Sequence, residues 1–234
     1  MRMEVLSDPD AVAREAATII ANEARIAVST RGSFVLAVSG GRTPWIMLQM
    51  LAVEDIPWEG MHIVQVDERV APEGHPDRNL THLRESLKLA PLRPEQIHPM
   101  EVNAVDLKAA ARRYSDVLQK IAGSPSVIDL VHLGLGPDGH TASLIPGDPV
   151  LTVNDSDVGV TGIYQGRERM TLTYPIINRA RNILWLVTGR EKAAMLTRLC
   201  HGDGSIPAGQ VQRDVATILA DRAAADSIPD LTIQ

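Results

Sequence analysis

Little in this chain of 234 residues favours cross-linking, base stacking or membrane insertion. The single cysteine, Cys200, excludes an internal disulfide and a cysteine-rich zinc site. Aromatic residues make up 3% of the chain, with one phenylalanine among them, too few for a base-stacking platform. The net charge is −6 and no block of like charges occurs, which argues against a nucleic-acid surface. No uninterrupted apolar run reaches the ~18 residues of a membrane-spanning helix. Neither a signal peptide nor a lipidation motif is visible near Met1, so a cytoplasmic location is expected, without nucleic-acid or membrane partners. The chain also lacks a G-x-S-x-G elbow, an H-E-x-x-H pair among its seven histidines, and a Walker ending of Gly-Lys-Ser/Thr, and no metal site is expected.

What is present centres on residues 127–143. Val127 to Leu133 is a β-branched and aliphatic run interrupted only by Asp129 and His132, and it reads as a buried strand. Three glycines and a proline then fall within six residues (134–139), so the strand must end in a tight turn, and the turn ends on His140. Ligands bind where strands of α/β sheets end, and His140 is the candidate reactive group.

Along the chain, Ser7-Asp8-Pro9 starts a helix carrying Val12, Ala16, Ile19, Ile20 and Ala24 at helical spacing. An apolar strand at 33–38 feeds Ser39-Gly40-Gly41-Arg42-Thr43-Pro44 and then a helix at 45–51, the opening of a βαβ unit. A strand at 62–66 ends at Asp67-Glu68-Arg69, a polar loop covers 72–79, and a helix follows over 79–89. The stripe Leu107, Ala110, Ala111, Tyr114, Val117, Leu118 and Ile121 predicts an amphipathic helix over 106–121. Residues 147–157 have no assignable element. Strand-like pieces at 158–164 and 169–174, a short helix at 175–180, a strand at 182–187, a helix at 190–200, a strand at 215–219 and an alanine-rich tail complete the chain. The alternation of strand and helix predicts an α/β fold with a mainly parallel sheet covered by helices on both faces, in one domain spanning 1–234.

Four strand ends carry unusual chemistry. In 39–44, Gly40 and Gly41 let backbone N–H groups converge, Ser39 and Thr43 add hydroxyls, and the helix behind points its positive end at the loop, which suits a phosphate. The plainer reading is that Thr43 caps the helix. Asp67-Glu68-Arg69 offers a carboxylate for substrate hydroxyls and an arginine fork for a phosphate or oxyanion, or else forms a solvated ion pair. Gly134-x-Gly136-x-x-Gly139 matches a dinucleotide fingerprint in spelling, but Pro137 sits inside the turn and Asp155 and Asp157 fall in a loop. A turn-held histidine, with Asp138 able to fix its tautomer, fits proton transfer better; a His that only packs is the competing reading. Finally, Lys192 in Gly189-Arg190-Glu191-Lys192 opposes a helix dipole unless an anion binds there, and Arg167 and Arg169 could add positive charge.

Together, Ser39-Gly40-Gly41-x-Thr43-Pro44, Asp67-Glu68-Arg69, Gly134-x-Gly136-x-Asp138-Gly139-His140-Thr141-Ala142-Ser143-Leu144, Arg169-x-Thr171-Leu172-Thr173 and Gly189-x-x-Lys192 resemble the 6-phosphogluconolactonases of the glucosamine/galactosamine-6-phosphate isomerase superfamily. The resemblance runs in order from about residue 5 to 220. It implies a modified Rossmann-type fold and hydrolysis of 6-phosphoglucono-1,5-lactone in the pentose phosphate pathway, with no metal or organic cofactor. A sugar-phosphate lactone is then the small-molecule partner, and the chain is expected to be a monomer or small homo-oligomer.

On this combined reading His140 is the general base, with Asp138 beside it and Asp67 orienting hydroxyls or water. The phosphate falls to Ser39, Gly40, Gly41, Arg42, Thr43, Lys192 and an arginine, Arg69 before Arg169. Two departures from the family pattern stand out: Ile145 in place of an aromatic, and Arg78 before Asn79 where serine is frequent, which bears on the contacts there. The alternatives are a glucosamine-6-phosphate deaminase or isomerase and a non-catalytic sugar-phosphate sensor. The deaminase pattern continues past the histidine with Asn-Glu-Pro, whose Glu takes part in catalysis, whereas this chain reads Ser143-Leu144-Ile145-Pro146. A sensor of this kind normally carries a DNA-binding segment, for which there is no basic helix-turn-helix.

Overall fold

The computed structural model describes residues 1–228. Ten strands and seven α-helices are distributed along them. In chain order the strands are β1 (Arg2–Leu6), β2 (Phe34–Val38), β3 (Met61–Gln65), β4 (Asp67–Arg69), β5 (Ile97–His98), β6 (Leu130–Gly134), β7 (Val158–Val160), β8 (Arg169–Leu172), β9 (Asn182–Val187) and β10 (Ala216–Asp221). The helices are α1 (Pro9–Arg31), α2 (Arg42–Leu51), α3 (Asn79–Ser86), α4 (Leu107–Ala122), α5 (Tyr174–Ile177), α6 (Ala193–Cys200) and α7 (Arg222–Ala225). Seven strands form one sheet in the order β1-β10-β9-β6-β2-β3-β5, every pairing in it parallel.

Side-chain alternation builds a core on each face of this sheet. Phe34, Leu36 and Val38 of β2 join Ile20, Ala24, Met47 and Leu48 from α1 and α2. Val35 and Ala37, pointing the other way, join Tyr114 and Leu118 of α4, with Trp185 of β9. Local signals place the helices: Asp8 accepts from Ala11 N at 2.9 Å to cap α1, and Gly32 ends it at φ 81°. Asp106 caps α4 in the same manner.

The architecture follows the sequence expectation, with three differences. Arg2–Leu6, not anticipated, is an edge strand whose half-exposed side chains leave no continuous apolar run. Asp67-Glu68-Arg69 does more than end the strand before it. It is β4, in a second, antiparallel sheet ordered β4-β8-β7, and this sheet absorbs the strand-like pieces expected at 158–174. Helix 190–200 divides into a 3₁₀ turn at Arg190–Lys192 and α6. A 3₁₀ turn, Pro149–Thr152, lies within the unassigned stretch. The alanine-rich tail opens with α7, and residues 229–234 lie outside the described residues. No helix among the described residues is long and apolar enough to cross a membrane.

Candidate active site

The chain runs from β2 outward to β3 and β5, then returns through β6 to β9 and β10 on the other side. The order therefore reverses between β2 and β6, and a crevice opens there at the carboxyl ends of the strands. The four chemically unusual stretches follow β9, β6, β2 and β3, four adjacent strands, and all four line one cleft of about 780 Å³. Ser39, Gly40, Gly41, Arg42, Thr43, Asp67, Arg69, His140, Arg169 and Lys192 contribute to its wall. Of the expected site residues, Asp138 alone stands behind the wall, bonded to His140.

At the β2 end, Gly41 is the N-cap of α2 at φ 141°, a conformation that side chains disfavour. A Cβ on Gly40 would overlap the Asn79 carboxamide. The helix amides and these two glycines leave an open, positively polarised corner. Thr43 does not cap α2; its hydroxyl shares a 2.9 Å hydrogen bond with that of Thr188, tying the loop to the β9 end. Ser39 departs from its expected role as a free hydroxyl donor. Its Oγ donates to His132 O at 3.1 Å, and its N–H donates to His132 Nδ1 at 3.2 Å. Arg42 and Lys192 line this end, and among the described residues neither takes part in an ion pair, whereas Arg190 turns away to Asp226.

At the β6 end the turn closes on itself: Gly136 N–H donates to His140 O at 2.8 Å and Gly139 N–H to Gly136 O at 3.0 Å. Gly139 adopts φ 84° against Ile206, and a Cβ on Gly136 would overlap His140 Nδ1. His140 Nδ1 lies 2.5 Å from Asp138 Oδ1. A carboxylate only accepts, so Nδ1 carries the proton and Nε2 keeps its lone pair. Burial pushes Asp138 up, but the amide, charge and ring of His140 together hold it below the ordinary carboxylate value, so it stays ionised. Its other oxygen accepts from Tyr164 OH at 3.1 Å. The Tyr164 ring meets His140 edge-on at 5.7 Å and carries the Arg169 guanidinium on its face at 4.9 Å.

The three charges of β4 separate by role. Asp67 faces the cleft and accepts from Ser143 Oγ at 2.6 Å and Asn79 Nδ2 at 3.2 Å. Glu68 is fully buried and serves the fold. It accepts from Gln65 Nε2 and from the amides of Arg69, Asn79 and Leu80, the last two opening α3. Arg78 lies against it at 3.1 Å, so the departure from the family pattern at that position reaches a buried carboxylate and not the cleft. Arg69 reaches the cleft with one side while Nη1 donates to Asp77 O at 2.9 Å. Arg167 pairs with Asp77 at 2.7 Å, outside the cleft. The residues not anticipated as functional are Tyr164, Asn79 and Thr188. Thr188 ends a predicted strand, but nothing in the spacing of Tyr164 or Asn79 announces a contact with Asp138 or Asp67.

The fold is an α/β sheet with a glycine-lined helix N-terminus and a carboxylate-bonded imidazole on adjacent strand ends of one cleft. The chain belongs to the glucosamine-6-phosphate isomerase/6-phosphogluconolactonase family, whose model matches residues 7–219. It is 38% identical to a 6-phosphogluconolactonase of Synechocystis over 82% of this chain and 81% of that one. A crystal structure of a Thermotoga maritima 6-phosphogluconolactonase superposes with a TM-score of 0.83 at 25% identity, covering 94% of this chain and 98% of the other. A monomeric glucosamine-6-phosphate deaminase superposes as well, with a TM-score of 0.85 at 21% identity over 97% and 99% of the two chains. The fold is thus common to both activities, and the site has to separate them.

Proposed function

We infer that this chain is a 6-phosphogluconolactonase: it hydrolyses 6-phospho-D-glucono-1,5-lactone to 6-phosphogluconate in the oxidative pentose phosphate pathway, acting as one sugar-phosphate lactonase domain over 1–234. The observation that carries the mechanism is the shared cleft, with the corner at Ser39–Thr43 and Lys192 on one wall and the free Nε2 of His140 on another. The lactone phosphate sits on the amides of the corner and on Thr43, with Lys192 and Arg42 as counter-charges. Arg69 comes next as a phosphate ligand. Arg169, stacked on Tyr164 beside His140, suits the lactone end better.

With the ring anchored, Nε2 of neutral His140 takes a proton from a water whose oxygen attacks the lactone carbonyl carbon. The bond from that carbon to the ring oxygen then breaks, and the imidazolium returns the proton to the departing oxygen. Asp138 holds the Nδ1–H tautomer throughout, and Asp67 orients hydroxyls or the water. A deaminase would need a carboxylate just after the histidine. Here Ser143 is bonded to Asp67, and Leu144 and Ile145 are buried apolar side chains.

The test is acid release from freshly made phosphogluconolactone, followed above its spontaneous rate. Turnover is expected with the wild-type chain, and a rate equal to the background would overturn the reading. Lys192→Ala is expected to raise KM by about 10- to 100-fold, as loss of a charge-assisted hydrogen bond of roughly 1.5–3 kcal/mol requires. An unchanged KM would move the phosphate elsewhere in the cleft.

A further inference from the structure

Residues 161–169 form a hairpin that joins the small sheet to the His140 turn. Tyr164 and Arg167 exchange backbone hydrogen bonds at 2.9 and 3.3 Å, and Gln165 and Gly166 between them both take positive φ, 52° and 79°. This is the two-residue turn whose twist matches paired strands. The hairpin is tied to the loop before α3 by Arg167 to Asp77, and braced within itself by Arg169 Nη2 to Gln165 Oε1 at 3.2 Å. The Tyr164 side chain is therefore held in place although its hairpin is at the surface, and it stands outside the cleft lining.

We propose that Tyr164 is a positioning residue for the reaction, setting the orientation and basicity of His140 through Asp138 and holding Arg169 over the same end of the cleft. Three contacts made by one side chain carry this: hydroxyl to Asp138 Oδ2, ring edge to His140, ring face to Arg169. The hydroxyl is the donor, because burial and the neighbouring Asp138 charge raise its pKa and keep it protonated. By donating, it shares the charge that Asp138 offers to Nδ1–H and so tempers the pull of Asp138 on the imidazolium. The other titratable groups around the cleft are Asp8 and Asp10 at the start of α1, Arg42 at the start of α2, Asp67 and Arg69 on β4, Arg169 on β8, and Glu191 and Lys192 beyond β9.

The inference rests on His140 being the base, and the experiment keeps the two apart. The full chain, Tyr164→Phe and Tyr164→Leu are compared in kcat and KM on the lactone across pH 5–9. The His140 imidazole is titrated by NMR without substrate, its signal assigned by its loss in His140→Ala. Tyr164→Phe is expected to lower the plateau kcat roughly two- to tenfold with KM unchanged. It is also expected to move both the acid-side inflection and the His140 titration upward by about half a pH unit, since Asp138 then serves the imidazole alone. Tyr164→Leu is expected to raise KM several-fold in addition, as Arg169 loses its aromatic support. A Tyr164→Phe profile and His140 titration that superimpose on wild type would overturn the proposal. If the wild-type chain failed to turn over the lactone, the assigned reaction would fall, and the NMR titration would still decide the link from Tyr164 to His140.

Discussion

His132 and His140 lie on one continuous strand and turn, yet the fold makes opposite groups of them. His132 is fully buried on β6, where its Nδ1 accepts the amide proton of Ser39, so its own proton sits on Nε2, buried and without a partner. Burial alone pushes its pKa down to about 3, and it stays neutral. His140 stands in the cleft with Nδ1 donating to Asp138, so the lone pair is on Nε2. The ring is the same, and the partner of Nδ1 decides which tautomer results. A backbone donor leaves His132 with its proton on a buried Nε2, and a carboxylate leaves His140 with a free acceptor at Nε2.

The largest effect that sets the two apart is catalytic. His140→Ala is expected to lower kcat by about 10²–10⁴, the usual contribution of a positioned base, with KM little changed. His132→Leu is expected to keep kcat within a few-fold and instead raise KM, because the Ser39 amide loses its acceptor on that ring. Initial-rate kinetics on the lactone check both. Equal losses of kcat in the two variants would erase the distinction.

The next effect is on stability, and its sign follows from proton counts. Folded, His132 binds no proton until about pH 3, whereas an unfolded imidazole binds one near 6.5. Between those values the unfolded chain holds more protons, so stability is complete above about pH 6.5 and drains as pH falls, by about 1.4 kcal/mol per pH unit. From pH 6.5 to 4.5 the wild type should therefore lose up to about 3 kcal/mol more than His132→Leu. Urea unfolding at a series of pH values measures the difference. His62 and His98, whose pKa values burial also lowers, contribute equally to both chains and cancel. Parallel curves would mean that His132 is protonated within the fold.

How legible each part was depends on whether its cause is local. The ends of β2, β6 and β9 could be read because buried apolar runs stop at glycines, and both signals lie within a few residues. β1 could not, since Arg2 and Glu4 break its apolar pattern on an edge. β4 could not either: three successive charges read as the end of a strand, not a strand of their own, until Glu68 is seen collecting donors from Gln65, Arg69, Asn79 and Leu80. The site shows the same limit. His140 and Asp138 are two residues apart and were legible as a pair. The Ser39 hydroxyl was misread because its acceptor, His132 O, belongs to a neighbouring strand. Tyr164 was missed because only the hairpin brings it to Asp138.

The smallest effect concerns the carboxylate that makes the two histidines differ. Asp138 accepts from the His140 amide at 3.1 Å, from Nδ1 and from Tyr164. In Asp138→Asn the side chain keeps one acceptor and gains a donor. With the carboxamide oxygen toward Nδ1, the tautomer survives but the imidazolium formed during turnover loses its counter-charge. With the NH₂ group toward Nδ1, the proton moves to Nε2 and the base is lost. Both lower kcat and leave the phosphate corner untouched. The loss expected is about 10- to 100-fold, from a charge-assisted bond of roughly 1.5–3 kcal/mol. It is smaller than for His140→Ala because a fraction of the rings still presents Nε2. The acid-side inflection should also move to lower pH, since an imidazolium without Asp138 is a stronger acid. A pH–rate profile of Asp138→Asn identical to wild type would mean that some other group sets the tautomer of His140.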